Sequence, residues 1–311
     1  MTRLLRIGTR GSPLALWQAR TVSGLLEARG CAVDLTIIKT AGDRLQETPH
    51  QPSSGKGVFV KEIEDALLSR EIDLAVHSAK DMSASMPDGL AVAAVLPRED
   101  SRDVLVLPHA RAGMPLDEAI AALGRTPSIG TSSVRRTAQL AMLMPGARFA
   151  PVRGNVDTRL RKLDAREFDA IVLAVAGMKR LGYGARITAP IAHDQCIPAP
   201  GQGIVAIQTR RDDRELRDVL AAINDAPAAA SFEAERELVS ALGGGCQLPL
   251  GGVAAHADGG LDMRAIVTSL DGTRALRERA QGDAARPAEL GRRVADALAK
   301  AGAIRILDEV R

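Results

Sequence analysis

The sequence predicts an α/β protein in which two αβ lobes face a cleft and a smaller C-terminal α+β domain follows. Three observations support this expectation. Strand and helix periodicities alternate from the first residues, proline-bearing segments cross between the two αβ blocks twice, and beyond residue 226 the order becomes helix, strands, helix.

Leu4 to Gly8 reads as a strand. Ser12 then suits the N-cap and Pro13 the first helical position, and Gly30 stops a helix over 13–29. Its apolar stripe is Leu14, Trp17, Thr21 and Leu25, which places Trp17 in the core. Val33 to Thr40 alternates as a second strand, residues 58–69 form a helix burying Phe59, Ile63, Ala66 and Leu67, and Ile72 to His77 is a third strand. A βαβαβ unit of this kind builds a parallel sheet whose ligands bind beyond the carboxyl ends of its strands. Arg10 and Ser12 follow the first strand, Lys56 precedes the second helix, and Ser78, Lys80 and Asp81 follow the third strand, so all are expected at one crevice.

A second αβ block spans 103–195. Ser128 to Gly130 ends a strand, and Thr131, Ser132 and Ser133 open a helix over Val134 to Met144. Hydroxyls and free backbone N–H groups at a helix start, followed at once by Arg135 and Arg136, are what a carboxylate or phosphate site requires. The strand Arg148 to Val152 delivers Arg153-Gly154-Asn155-Val156-Asp157-Thr158-Arg159 at the next helix start, and Arg180 follows the apolar strand Ile171 to Val175. One such turn is more often a solvated helix start. Repetition at successive strand ends points to a ligand carrying many negative groups.

Pro97-Arg98-Glu99-Asp100 leads out of the first lobe, and Ile197-Pro198-Ala199-Pro200-Gly201-Gln202-Gly203 leads back to a strand, Ile204 to Thr209, assigned to the first sheet. The expected domains are 1–98 with 203–222, 103–197, and 226–311. The last holds a helix over 231–242, strands near 250–256 and 261–269, and a helix near 287–300. Between its first helix and first strand, Cys246 stands behind Gly243-Gly244-Gly245. Taken alone, a cysteine is more often a small buried apolar residue, but a thiol on a glycine turn has room for a covalent role, and the thiolate is a strong nucleophile.

Composition narrows the function classes. With one Trp, one Tyr and four Phe in 311 residues, base-stacking platforms are scarce and nucleic-acid binding is disfavoured. The net charge of +3, from 41 basic and 38 acidic residues, requires any anion site to come from local placement. Three cysteines with no CxxC pair argue against a disulfide framework or structural zinc, and five scattered histidines against any metal. No run of 18 apolar residues occurs, so no membrane span is expected, and Met1-Thr2-Arg3-Leu4-Leu5-Arg6 enters the first strand without an apolar leader. The expectation is a cytoplasmic monomer.

Seven segments in order resemble the porphobilinogen deaminases, also called hydroxymethylbilane synthases. They are Arg10-Gly11-Ser12-Pro13-Leu14-Ala15, Gly55-Lys56-Gly57-Val58-Phe59, His77-Ser78-Ala79-Lys80-Asp81, Gly130-Thr131-Ser132-Ser133-Val134-Arg135-Arg136, Arg153-Gly154-Asn155 through Arg159, Pro200-Gly201-Gln202-Gly203 and Gly244-Gly245-Cys246. The resemblance spans nearly the whole chain. It implies stepwise head-to-tail condensation of four porphobilinogen molecules into hydroxymethylbilane with release of ammonia, primed on a dipyrromethane cofactor linked through Cys246 as a thioether. It implies Asp81 as the catalyst. Cofactor-binding roles pass to Ser12, Ser78, Lys80, Thr131, Ser132, Ser133, Arg135, Arg136, Arg153 and Arg159, and substrate-binding roles to Arg10, Lys56, Arg180 and Gln202. A primer of two pyrrole units extended by four carries twelve carboxylates, for which the arginine fork is suited.

The chain departs from the family pattern in places. Met82-Ser83 stands where the family usually has Val-Pro, Ala79 replaces a larger apolar residue, and Asp157 stands where many relatives have glycine, either pairing with Arg159 or facing solvent. Cys31 and Cys196 match no motif and are read as structural. Two lobes joined by two crossings also resemble periplasmic-type binding proteins, so a non-catalytic anion binder is the rival reading, against which the Cys246 loop speaks.

Overall fold

The computed structural model describes residues 3–43, 60–109, 111–245 and 247–310. The chain begins with β1 (Leu4–Thr9), α1 (Pro13–Glu27) and β2 (Ala32–Ile37), and continues with α2 (Lys61–Leu68), β3 (Leu74–Ser78), a 3₁₀ turn over Ala79–Asp81 and β4 (Leu90–Val95). There follow β5 (Asp103–Val106), α3 (Leu116–Leu123), β6 (Ser128–Gly130), α4 (Val134–Leu143), β7 (Arg148–Ala150), α5 (Val156–Asp164), β8 (Ala170–Ala174), α6 (Val175–Arg180) and β9 (Ala189–Ile191). The remainder is β10 (Val205–Arg210), α7 (Arg214–Ala221), α8 (Ala226–Ala241), β11 (Leu250–Ala257), β12 (Gly260–Thr268), β13 (Ala275–Gly282), α9 (Pro287–Lys300) and α10 (Ala303–Asp308). These elements divide into two compact units, Met1–Arg98 with Ile204–Ala229 and Glu99–Gly203 with Ala230–Arg311.

The first unit is built on a sheet of order β2-β1-β3-β10-β4. β1 runs parallel to both neighbours, with Leu4 opposite Ala32 and Ile7 opposite Leu74. The parallel βαβαβ arrangement of β1, β2 and β3 is present as expected, and β10 joins the same sheet as expected, in the antiparallel sense. The returning chain starts opposite Ser78, at the carboxyl end of β3, and so must run antiparallel to β3 and β4. Alternation along β3 sends Leu74 and Val76 to a core with Ala19, Val22 and Leu26 of α1 and Leu216 and Leu220 of α7, and sends Ala75 to the opposite core with Ile63 and Leu67 of α2. The expected face of α1 is also corrected. Ala15, Gln18, Ala19, Val22, Ser23 and Leu26 are buried, whereas Trp17 stays 37% exposed. Two overlapping stripes of period 3.6 compete here, and the one with smaller residues lets the helix lie close to the sheet. Phe59 lies outside the described residues.

The sheet of the second unit, β7-β6-β8-β5-β9, repeats the plan: β6 is parallel to β7 and β8, and β5 enters antiparallel between β8 and β9. The C-terminal residues form an antiparallel meander, β11-β12-β13, covered by α8, α9 and α10 around Leu238, Met263, Ala265, Leu290, Val294 and Leu298. The sequence separates this region as residues 226–311. It has its own core, and the cluster of Ile197, Val253 and Ile266 also joins it to residues 99–203 within one unit.

A close helix contact in that region depends on a glycine. A Cβ at Gly291 on α9 would lie 2.2 Å from the Ala234 carbonyl oxygen on α8, so the backbones touch where any side chain would separate them. Gly291→Ala is therefore expected to lower stability by about 1–3 kcal/mol, read as a lower thermal midpoint; an unchanged midpoint would contradict this packing.

Candidate active site

In the first unit the site residues lie on turns that follow the parallel strands. Ser12 caps α1, its hydroxyl accepting from the Ala15 N–H at 3.3 Å, so the local signal read from Ser12-Pro13 is the one that starts the helix. Arg10 directs Nε and Nη2 onto Asp43 Oδ1 at 3.0 and 2.5 Å, and Asp43 also accepts from the Thr40 N–H and hydroxyl. Burial works to raise the Asp43 carboxyl, and these bonds more than reverse it, leaving it below its usual range.

The turn after β3 carries Ser78, Lys80 and Asp81. Ser78 exchanges hydrogen bonds with the buried Gln18 amide, the Ala79 N–H donates to Ile204 O at 3.0 Å, and the Met82 N–H closes the 3₁₀ turn on Ala79 O at 3.2 Å. Behind it His77 is fully buried, with Nε2 3.0 Å from Gln208 Oε1, and the Gln208 amide donates to Glu64 Oε1 at 2.9 Å. Burial first, and then the charge of Arg10, lower the His77 pKa to about 4 despite the Gln208 bond. The imidazole is neutral, and Nε2 carries its proton. On this braced turn Asp81 is half-buried, and among the described residues its carboxylate makes no hydrogen bond or ion pair.

In the second unit the hydroxyls of the turn after β6 organise the backbone. Ser132 spends its one proton on Val152 O at 2.9 Å, Thr131 Oγ1 accepts from the Ser133 N–H, and Ser133 caps α4 by accepting from the Arg136 N–H. Thr131 and Ser133 thus keep a proton to donate, and Ser132 does not. Arg135 and Arg136, both expected as cofactor contacts, are buried. Both turn onto Asp103, the first residue of β5, because its fully buried carboxylate needs positive partners. Gln202 is buried too, its amide donating to Ser101 O at 2.7 Å and Asp103 Oδ1 at 2.9 Å. Burial would raise the Asp103 carboxyl, but the guanidinium groups and Gln202 hold it well below the usual range. Burial and the charge of Asp103 push the nearby Cys196 thiol up to about 12, so it is neutral and inert.

The next turn holds Arg153, Gly154 and Asn155. Asn155 caps α5, accepting from the Thr158 N–H at 2.9 Å. Gly154 has φ +105, and a Cβ there would meet Thr158 Cγ2 at 2.7 Å, so only glycine fits. Arg159 Nε donates to Gly154 O at 2.8 Å and Arg153 is exposed. Asp157 accepts from the Tyr183 hydroxyl at 3.0 Å and pairs with Arg161. The half-buried Arg180 donates to Gly203 O at 2.7 Å, and burial draws its pKa down. Before position 246, the Gly244 N–H donates to Val239 O at 2.8 Å, and Gly245 has open space around it. Cys246 and Lys56 lie outside the described residues. Sequence reasoning missed Asp103, Gln18 and the His77–Gln208–Glu64 relay; only Asp103 leaves a trace, as an acid opening the apolar strand Asp103-Val104-Leu105-Val106. Among the described residues no cluster of His, Cys, Asp and Glu suits a metal, and no helix is long and apolar enough to cross a membrane.

Comparison with known proteins is consistent along the whole chain. The profile described as porphobilinogen deaminase, dipyromethane cofactor binding domain, matches residues 5–218, and that described as porphobilinogen deaminase, C-terminal domain, matches 229–300. A porphobilinogen deaminase of Syntrophobacter fumaroxidans is 45% identical over 310 residues, covering 99% of this chain and 98% of its own length. One from Desulforudis audaxviator is 46% identical over 313 residues, covering 100% and 99%. Among solved structures, the Bordetella pertussis BvgS VFT2 domain (double mutant F375E/Q461E) aligns with 73% of this chain and 91% of its own at 18% identity and a TM-score of 0.41.

The buried imidazole gives a pH-dependent prediction. Unfolded His77 takes up a proton below its ordinary pKa of 6.5 while the folded form resists until about 4, so between these values the unfolded chain binds more protons and stability falls as pH drops. His77→Gln lacks this titration, so relative to wild type it should gain up to about 3 kcal/mol between pH 7 and pH 4, read from urea midpoints. A stability difference that does not move with pH would contradict the assignment.

Proposed function

This chain belongs to the porphobilinogen deaminase family, and from that membership we propose how its residues divide the work of hydroxymethylbilane synthesis. The reaction condenses four porphobilinogen molecules head to tail into a linear tetrapyrrole and releases ammonia, and the cofactor is dipyrromethane.

The donor set suits such a group. Dipyrromethane carries four carboxylates, and the second unit buries two guanidinium groups against one carboxylate, leaving a positive charge that a ligand anion offsets. We assign its covalent anchor to Cys246 and its contacts to Ser12, Lys80, Thr131, Ser133, Arg135, Arg153 and Arg159, with Ser78, whose proton is on Gln18, as an acceptor for a pyrrole N–H. When bound, it supplies the free α-carbon onto which the first porphobilinogen is joined. Arg10, Lys56 and Arg180 take carboxylates of incoming substrate as cations. Gln202 acts from beneath, through Asp103.

Asp81 is the proposed catalytic residue, and its uncommitted carboxylate on a braced turn is the observation that carries the assignment. Loss of ammonia from porphobilinogen leaves an electron-poor methylene-pyrrole cation, and an unpaired carboxylate near the pyrrole N–H stabilises that charge as it develops. The same oxygen can accept the proton that leaves the ring when the new bond is made. We further propose a cytoplasmic monomer, since a net charge of +3 spread over 41 basic and 38 acidic residues offers no broad field for a membrane or nucleic acid.

Asp81→Ala should keep fold and covalent cofactor and lower kcat by about 10²–10⁴ with little change in KM. Steady-state rates within a few-fold of wild type would remove Asp81 from the catalytic role. Because Arg153 is exposed, Arg153→Leu should melt like wild type yet make bilane at least about tenfold more slowly; a normal rate would refute its assignment.

A further inference from the structure

Asp103 is wholly buried at the start of β5, and the bonds it accepts leave the two arginines in different states. Arg136 spends all three guanidinium nitrogens inside the protein, Nε and Nη2 on Asp103 Oδ1 at 3.1 and 2.8 Å and Nη1 on Val172 O at 2.9 Å. Arg135 spends only Nη1, which donates to Asp103 Oδ2 and to Ile197 O, both at 2.8 Å. Its Nε and Nη2 make no bond within the protein, and neither is among the described atoms that are buried without a partner, so that edge holds what little accessible surface the 5%-exposed side chain keeps. The Nε–Nη2 edge is a two-donor fork matched to a carboxylate.

We propose that Asp103 is a positioning residue for anion binding: it touches no ligand, but grips Arg135 by Nη1 so that the Nε–Nη2 edge faces a ligand carboxylate, and it holds Arg136 alongside against their mutual repulsion. This rests on the reading above, in which that carboxylate belongs to the dipyrromethane cofactor. Two physical accounts of Asp103 differ in sign. If it only tuned the field, removing its negative charge would strengthen anion binding. If it positions Arg135, removing it weakens binding although the site becomes more positive.

The test compares wild type, Asp103→Asn, Asp103→Glu and a core control, Leu298→Ala, all purified with cofactor, by intact mass, thermal midpoint and KM for porphobilinogen. The expected result for Asp103→Asn is an adduct-bearing fraction about tenfold lower and a raised KM, while Leu298→Ala keeps its adduct despite its own loss of thermal stability. Asp103→Glu keeps the charge and shifts the carboxylate by one methylene, and its adduct-bearing fraction should fall several-fold. A folded Asn or Glu variant with wild-type adduct and KM, or with tighter binding, would overturn the proposal. Loss of fold in both would mark Asp103 as structural and overturn it as well. Absence of the adduct from wild type would instead defeat the underlying functional reading.

Discussion

The second unit is organised around one buried carboxylate that holds two guanidinium groups. Through Asp103, β5 is tied to the start of α4 by Arg135 and Arg136, to β8 by the Arg136 bond to Val172 O, and to the returning chain by Gln202 and Ile197 O. Buried ion pairs persist only where geometry and extra bonds offset desolvation, and the four donor nitrogens on Asp103 meet that condition. The pairing is also incomplete by one charge. For an enzyme whose ligands gain two carboxylates at each addition, a positive charge fixed in the scaffold is a source of attraction.

The first unit meets the opposite requirement. On the proposed assignment of Asp81 it presents a carboxylate, and the groups bracing its turns are largely neutral: Gln18 on Ser78, Thr9 on Ala15 O, and the uncharged His77 against Gln208. Arg10, the cation of the first turn, pairs with Asp43 and not with Asp81 among the described residues. Asp81 is thereby left without an internal counter-ion among the described residues, which is what a group waiting for a developing cation needs. Both units follow one plan, with parallel strands ending in polar turns and an antiparallel strand contributed by the crossing chain.

Much of this was legible in the sequence because the signals are local. Ser12 and Ser133 cap the helices their positions imply, Ser128–Gly130 is a strand, and the helix near 287–300 is Pro287–Lys300. What was not legible depends on tertiary choice. Trp17 and Leu14 lost the sheet-facing side of α1 to Ala15 and Ala19, because apolarity alone does not decide between neighbouring stripes. Arg135 and Arg136 read as ligand contacts because they follow a hydroxyl-rich helix start, but their shared burial against a carboxylate was not legible, since that carboxylate lies 32 positions away from the first of them. Asp103 itself stands just past the linker Pro97-Arg98-Glu99-Asp100, at the first residue of the second αβ block. Only its place at the head of an apolar strand marks it, and that cue gains meaning once β5 is seen between β8 and β9.

The central claim is an anionic pyrrole chain tethered to one sulfur and held by fixed cations. The most direct measurement is peptide mapping of the protein as purified, denatured and treated with an alkylating reagent. The account predicts that Cys31 and Cys196 take the label and that the peptide containing Cys246 instead carries the mass of two pyrrole units. A Cys246 peptide that is alkylated in full, with no added pyrrole mass, would contradict it.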